Sequence, residues 1–267
     1  MRLLSSLILP LLVHGLPQLR ILPLGDSITF GCGSSAAPPD WYACCDSFSG
    51  GYRAPLWAAL NGSVINATIQ MVGTESNGPS WVPSEQRAHE GHPGWTISMI
   101  KGLQAKWISV TPDVVLLMAG TNDVSQGHTN ATMLNDMTNL LQALRTSLPN
   151  ARILVTSILW LPQSGNLNNL SYTIKAYNAA LPGLIATVPG ATFVDIAGAT
   201  GMCFGPDDPR YTLCAVCNGP CGGYNKNACP PLGYSYCHPS GAGYSLMGGV
   251  WAGALLPILN EILSGKV

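Results

Sequence analysis

Short apolar runs alternate along the chain with longer segments in which apolar residues recur every three or four positions. Runs of four to eight apolar or alternating residues are typical of strands, and the run at residues 114–118 is apolar throughout, as a strand buried on both faces must be. On this pattern, strands are predicted at residues 21–25, 63–72, 113–119, 151–157 and 191–195.

Helical periodicity fills the intervals between these strands. It predicts helices at residues 52–60, 95–108, 129–147, 167–188 and 240–263, with an interruption of the fourth helix at Pro182. Strands that alternate with helices of about ten or more residues imply βαβ units and a parallel sheet covered on both faces. We therefore expect an α/β fold, a three-layer α/β/α sandwich whose central sheet has about five parallel strands in the order 2-1-3-4-5.

Length and charge limit the function further. The 267 residues suit one large domain with a sizeable core, and we expect a monomer. Twelve basic and thirteen acidic residues give a net charge of −1 without a cationic run, so no nucleic acid partner is expected.

Residues 73–91 show no periodicity and are predicted to be a loop. Its titratable side chains lack a metal-ligand spacing such as HExxH, so they are interpreted as solvated loop groups and not as a metal cluster. They are Glu75, Glu85, His89, Glu90 and, just beyond, His92.

The amino terminus has the architecture of a signal peptide. Arg2 precedes a short apolar core that ends near Gly15 and is too short to span a bilayer, although an N-terminal strand or buried helix is the alternative. We expect residues 1–17 to be a signal peptide, residues 18–267 to be one secreted, extracellular domain, and no stable membrane insertion. Four glycosylation sequons, at Asn61, Asn66, Asn130 and Asn169, agree with a secreted glycoprotein.

Six of the nine cysteines crowd an inserted loop at about residues 201–237, which is rich in Gly, Pro and Asn. In an oxidising compartment this pattern favours disulfide bonds. The spacing of Cys214 and Cys217 also suits a zinc site, which is the alternative. The odd total leaves at least one thiol unpaired or paired outside the chain.

Four polar or glycine positions fall where strands end or a helix begins. Ser27 follows the first strand, Gly94 opens the helix after the second, Asn122 follows the third, and His238 precedes the last helix. Each alone has a plain structural explanation as a cap, a turn or a loop histidine. In a parallel sheet, however, all four belong to the same carboxyl edge and can converge on one crevice.

This set of groups matches the needs of ester hydrolysis. Ser27 supplies a hydroxyl nucleophile, and His238 is the base that accepts its proton. The backbone N–H groups of Ser27 and Gly94 and the amide of Asn122 can stabilise an oxyanion. Asp26 and Asp123 are interpreted as residues that fix the turns, and the chemistry requires no metal or cofactor.

These motifs resemble the four blocks of the SGNH (GDSL-type) hydrolases: residues 25–28 (Gly-Asp-Ser-Ile), Gly94, residues 120–123 (Gly-Thr-Asn-Asp) and His238 with Pro239. Residues 90–97 are most similar to family 3 carbohydrate esterases, which include secreted acetyl xylan esterases. The resemblance implies a flavodoxin-like sandwich and a serine esterase that removes acetyl or other small acyl groups from a polysaccharide such as xylan, through an acyl-serine intermediate.

One position departs from the family pattern. The family has an aspartate three residues before the histidine, and Ser235 occupies that position here. A backbone carbonyl could orient the imidazole of a Ser-His dyad, Asp207 or Asp208 could fold back, or the protein could be a weakened or inactive relative. We favour the dyad.

Two other functions fit the same motifs. One is hydrolysis of a lipid or another small ester by the same chemistry. The other is a non-catalytic glycan-binding protein that lost the aspartate. Tryptophans that could stack on sugar rings are Trp41, Trp81, Trp95 and Trp160.

Overall fold

The structure is a computed structural model that describes residues 16–32, 50–159, 168–200, 238–239 and 241–265. Several predictions concern residues outside these ranges. They are the signal peptide up to residue 15, the Cys-rich insertion at 201–237 with Asp207, Asp208 and Ser235, and Trp41 and Trp160.

Seven strands form one sheet in the described part of the chain. They are β1 (Gln18–Gly25), β2 (Thr68–Met71), β3 (Glu75–Ser76), β4 (Ala88–Gly91), β5 (Val114–Met118), β6 (Arg152–Thr156) and β7 (Ala191–Val194). Parallel pairing links β2, β1, β5, β6 and β7 in that order. This is the predicted order 2-1-3-4-5, and the prediction of a mainly parallel α/β sandwich is confirmed.

Strands β3 and β4 correct the prediction of a structureless loop at 73–91. β4 pairs in parallel with the carboxyl end of β1, where Leu24 lies opposite Glu90, while β2 occupies the amino end of the same edge. β3 pairs antiparallel with β4. A 3₁₀ helix, Ser84–Gln86, precedes β4. Strands of two and four residues with polar side chains give no periodic signal, which is why they were missed.

Helices cover both faces of the sheet. They are α1 (Ser27–Phe30), α2 (Arg53–Asn61), α3 (Ile97–Lys101), α4 (Gln104–Ser109), α5 (Thr121–Ser125), α6 (Asn130–Ser147), α7 (Asn168–Ile185), α8 (Ile196–Thr200) and α9 (Gly241–Leu263). One apolar cluster joins the sheet to α3, α6 and α7, and a second joins it to α2, α8 and α9. The sheet is therefore the middle of three layers, as predicted.

Three predicted boundaries were wrong. The single helix at 95–108 is two helices, α3 and α4, which separate where Gly102 caps α3. The strand predicted at 63–72 is shorter in the structure and spans only Thr68–Met71. The helix predicted to break at Pro182 continues through it, and the Ala186 N–H donates to the Pro182 carbonyl at 3.0 Å.

One face of the last helix, α9, packs against the core. By length and composition alone Gly243–Leu263, with a mean hydropathy of 1.5, could cross a membrane. Its buried side chains recur at helical spacing on the face towards α2 and the sheet: Tyr244, Met247, Trp251, Leu255 and Leu259. Gly248 permits the close approach, since a Cβ there would lie 2.8 Å from Pro55 and 2.9 Å from the Leu56 nitrogen.

Candidate active site

Ser27 lies immediately beyond the carboxyl end of β1. Gly25 ends the strand, and a Cβ at Gly25 would lie 2.2 Å from the Met118 carbonyl oxygen, so only glycine fits there. Asp26 caps α1, because its Oδ1 accepts the Ile28 N–H at 2.9 Å. As the first residue of α1, Ser27 has a backbone N–H that the helix itself does not use.

His238 is brought to Ser27 from the other end of the chain. Its Nε2 lies 2.9 Å from the Ser27 Oγ, although 211 positions separate the two residues. Ser27 is 8% exposed, and His238 is half-buried. A hydroxyl and an imidazole at this distance are the geometry of a nucleophile with its general base.

Gly94 lies in a turn that β4 places beside the nucleophile. The His92 N–H donates to the Gly25 carbonyl at 3.0 Å, and the Trp95 N–H closes the turn on the His92 carbonyl at 3.2 Å. Gly94 has a φ of +82°, a conformation that favours glycine, while a Cβ there would meet nothing within 4 Å. The strand before Gly94 is thus β4, not the second predicted strand, and the next helix begins only at Ile97.

Asn122 follows β5 and contacts this same turn. Its Nδ2 donates to the Trp95 carbonyl at 2.9 Å, which uses one of the two N–H groups of the amide. The neighbouring Asp123 is buried and accepts the Ile97 N–H on Oδ2 at 3.0 Å. The start of α5 and the segment from Trp95 to Ile97 are therefore held together by two hydrogen bonds.

Asp26 is a fully buried carboxyl group next to the Ser27–His238 pair. Its pKa is raised to about 6, because burial and repulsion from Asp123 raise the pKa by more than the Ile28 N–H and attraction to His238 lower it. At neutral pH the group is therefore mainly ionised. A negative charge there favours the imidazolium that His238 becomes when it takes the serine proton.

A family model described as GDSL-like lipase/acylhydrolase matches residues 24–246 of the chain. The chain belongs to this family. The match covers the positions of all four predicted motifs, and it confirms the resemblance to the GDSL-type hydrolases.

Relatives of this GDSL-family chain include a multidomain esterase of Ruminococcus flavefaciens, with 31% identity over 192 residues. The aligned region is 63% of this chain but only 23% of that protein, so the chain spans about a quarter of the curated relative's length.

Solved structures with the same fold include family 3 carbohydrate esterases. That of Clostridium thermocellum has a TM-score of 0.65 at 25% identity, covering 92% of this chain and 98% of its own. The one from Talaromyces cellulolyticus has a TM-score of 0.65 at 20% identity, covering 91% and 99%. They agree with the predicted SGNH hydrolase fold.

The sequence-based interpretation of three polar residues near the site of this GDSL-family chain was wrong. His89 and Glu90 are inaccessible and His92 is 8% exposed, so they are not solvated loop groups. Glu75 and Glu85 do lie at the surface. The missed signal was the alternation Glu90-x-His92, which in an extended segment brings both side chains to the same side.

Glu90 and His92 hold each other inside the fold. Glu90 accepts hydrogen bonds from the Thr74 N–H and from His92 Nε2, the latter at 2.9 Å. Burial raises the pKa of Glu90, but the hydrogen bonds from His92 and Thr74 outweigh it, and the pKa lies below its usual value. The His92 ring stacks on Trp95 with ring centroids 4.4 Å apart.

One group of side chains has the composition of a metal site. Asp123, His128 and Asp136 bring ligand atoms within 4.8 Å of one another. Both oxygens of Asp123 already accept hydrogen bonds, from the Ile97 N–H and from His128 Nδ1 at 3.2 Å. Asp123 and His128 thus have a structural role in fixing the start of α5.

Proposed function

We propose that the chain is a secreted serine esterase that removes acetyl groups from a polysaccharide such as xylan. The 2.9 Å contact between the Ser27 Oγ and His238 Nε2 is the observation that carries this proposal. The names of the structural neighbours support a carbohydrate ester as the substrate class, since they are family 3 carbohydrate esterases and an acetyl-xylooligosaccharide esterase of Geobacillus.

The first half of the reaction forms the acyl-enzyme. His238 Nε2 takes the proton of Ser27 Oγ as the oxygen bonds to the ester carbonyl carbon. The electron pair of the carbonyl moves to its oxygen, where the N–H groups of Ser27 and Gly94 and the Asn122 amide stabilise the charge. Collapse of this intermediate breaks the bond to the sugar oxygen, which receives the proton from His238.

The second half returns the enzyme to its starting state. Water gives a proton to His238 as its oxygen bonds to the acyl carbon, and a second tetrahedral intermediate forms in the same donor set. Its collapse releases acetate and restores the serine hydroxyl. Asp26 stabilises the imidazolium in both halves, which reduces the demand on a third triad member in the favoured Ser-His dyad.

Acetate release from acetylated xylan by the purified chain tests the proposal against Ser27→Ala. We expect rapid release by the native protein and a loss of at least about a thousandfold in the variant. A series of 4-nitrophenyl esters tests the lipid alternative, and the rate should fall as the acyl chain lengthens. Equal, negligible acetate release by both proteins would leave the non-catalytic, glycan-binding alternative.

A further inference from the structure

A cavity of about 400 Å³ lies at the end of the sheet opposite Ser27. Thr68 and Ile69 line it, and they pair with Gln18 and Leu19 at the amino end of β1. Ser27 follows the carboxyl end of that strand, about 20 Å or more away at about 3.3 Å per residue. The cavity is therefore separate from the active site, and its volume is within the range of about 300–1,000 Å³ usual for small-molecule sites.

Tryptophan forms one side of this cavity. Trp57 on α2 lines it, and Trp81 lies beside Trp57 with ring centroids 6.3 Å apart at an interplanar angle of 48°. Trp81 is 57% exposed, so its ring is open to a ligand. The Trp57 ring can pack on the C–H face of a sugar ring in the cavity, and Trp81, which does not itself line the cavity, can contact a saccharide that extends past Trp57.

Polar side chains accompany the two indoles. Asn61 and Glu85 line the cavity and are exposed, so their amide and carboxylate are available to sugar hydroxyls. Gln86 is not available, because its amide bonds the Met71 N–H and the Ile69 carbonyl along the outer edge of β2. A few polar groups beside aromatic faces are the usual make-up of a site that orients a polar ligand.

Two glycosylation sequons meet at the same place. In the first sequon, Asn61 and Ser63 line the cavity. In the second sequon, Ala67 and Thr68 line it, and the acceptor Asn66 is exposed. We propose that this cavity is a saccharide-binding site. The sugar can come from two sources, an N-linked glycan on Asn61 or a stretch of free polysaccharide, and the chemistry of recognition is the same for both.

Protein expressed in a bacterial host lacks the N-glycan and is used to test whether free sugars bind. Unacetylated xylohexaose and N,N′-diacetylchitobiose are titrated into the Ser27→Ala protein and followed by tryptophan fluorescence. We expect binding of at least one probe, weakened about tenfold or more by Trp81→Ala, since loss of one stacking contact of about 1.4 kcal/mol has that effect. Trp57→Ala should do the same, but Trp57 also packs on the core, so the exposed Trp81 is decisive.

Tyr172→Ala is the matched control, because Tyr172 is equally exposed at 58% but lies on α7. It should leave probe binding unchanged. In the protein with an intact Ser27, Trp81→Ala should leave hydrolysis of 4-nitrophenyl acetate unchanged. The proposal of a saccharide site can therefore be refuted without refuting the proposal of an esterase, and the reverse.

Protein secreted from a yeast host is used to test whether a glycan attached to Asn61 occupies the cavity. Peptide mapping that finds a glycan on Asn61, together with loss of probe binding that Asn61→Gln restores, identifies the attached sugar as the natural occupant. Probe binding that persists in the secreted protein identifies free polysaccharide. The proposal is overturned if the bacterial protein binds neither probe, or if Trp81→Ala and Tyr172→Ala bind as well as the parent protein.

Discussion

Glu90 and His92 form a buried carboxylate–imidazole pair, with 2.9 Å between Oε2 and Nε2, directly beneath the turn that carries Gly94. The imidazole stacks on Trp95, and the Trp95 carbonyl holds the Asn122 amide. Glu90, which lies outside the four motif blocks, is therefore linked through His92 and Trp95 to the turn that carries Gly94 and to the Asn122 amide.

Replacing Glu90 by glutamine should lower kcat. In Glu90 one oxygen accepts from the Thr74 N–H and the other from His92 Nε2, and glutamine replaces one of these two oxygens by an NH2 group, which donates and does not accept. The turn therefore loses one of the two hydrogen bonds that Glu90 accepts. We expect kcat for acetyl ester hydrolysis to fall between about tenfold and a hundredfold, with a smaller change in KM, as displaced catalytic groups usually cause.

Glu85→Gln is the matched control for this change, because Glu85 is exposed and lies in the 3₁₀ helix before β4. It should have native kcat. A lower melting temperature for Glu90→Gln with unchanged kcat would mean that the pair stabilises the fold but does not position the oxyanion donors.

Replacing Asn122 by alanine should remove a transition-state donor and the hydrogen bond to the Trp95 carbonyl. We expect a fall in kcat of about a hundredfold to a thousandfold, with little change in KM. Asn122→Asp keeps the size of the side chain but cannot donate, and it should lose as much. Asn61→Ala, which changes an exposed asparagine at the end of α2, is the control, with 4-nitrophenyl acetate as the substrate. An equal loss of kcat in this control would contradict the assignment of Asn122 as an oxyanion donor.

The elements that were predicted from sequence are those whose burial produces a pattern. β5 is buried at all five positions and appears as an unbroken apolar run. α6 buries one stripe, formed by Met133, Met137, Leu140, Leu141 and Leu144, and appears as a helical period. In both cases the buried positions are occupied by apolar side chains, so the hydrophobic pattern of the sequence predicts the element.

The missed elements bury polar side chains that are satisfied by hydrogen bonds. His89 accepts the Gly91 N–H on Nδ1 and bonds Asn77 through Nε2, and Glu90 bonds Thr74. A hydrophobicity pattern counts such residues as exposed. Helices of four or five residues, such as α1 and α5, are likewise too short to show a helical period, so no helix was predicted at either position.

The missing triad aspartate leads to a prediction about the Cys-rich insertion. If a Ser-His dyad operates, Asp207→Asn and Asp208→Asn, singly or together, should each leave turnover within tenfold of the native value. Ser235→Asp, which restores the residue of the family pattern, should raise kcat. Loss of an orienting carboxylate costs about ten-thousandfold in a serine protease, so a comparable loss in either aspartate variant would identify that residue as the orienting group.

The Asp26 carboxyl should make stability depend on pH in a direction opposite to that of most carboxylates. Its pKa of about 6 in the folded protein is above the usual 3.8, so the folded state holds the proton more tightly than the unfolded chain. The stability that Asp26 contributes is therefore fully present below about pH 3.8, declines as the pH rises, and is lost above about pH 6. The difference between these pKa values corresponds to about 3 kcal/mol.

Asp26→Asn removes this dependence and keeps an oxygen that can accept the Ile28 N–H. Both proteins are unfolded in urea between pH 4 and pH 7. The free energy of unfolding of the variant minus that of the native protein should increase by up to about 3 kcal/mol as the pH rises. Groups common to both proteins cancel in this difference. Glu90→Gln should give the opposite slope, because the pKa of Glu90 is lowered in the folded state and its contribution is lost as the pH falls. Parallel curves for Asp26→Asn and the native protein would show that the buried carboxyl has an ordinary pKa, and the charge assigned to it beside His238 would then need another source.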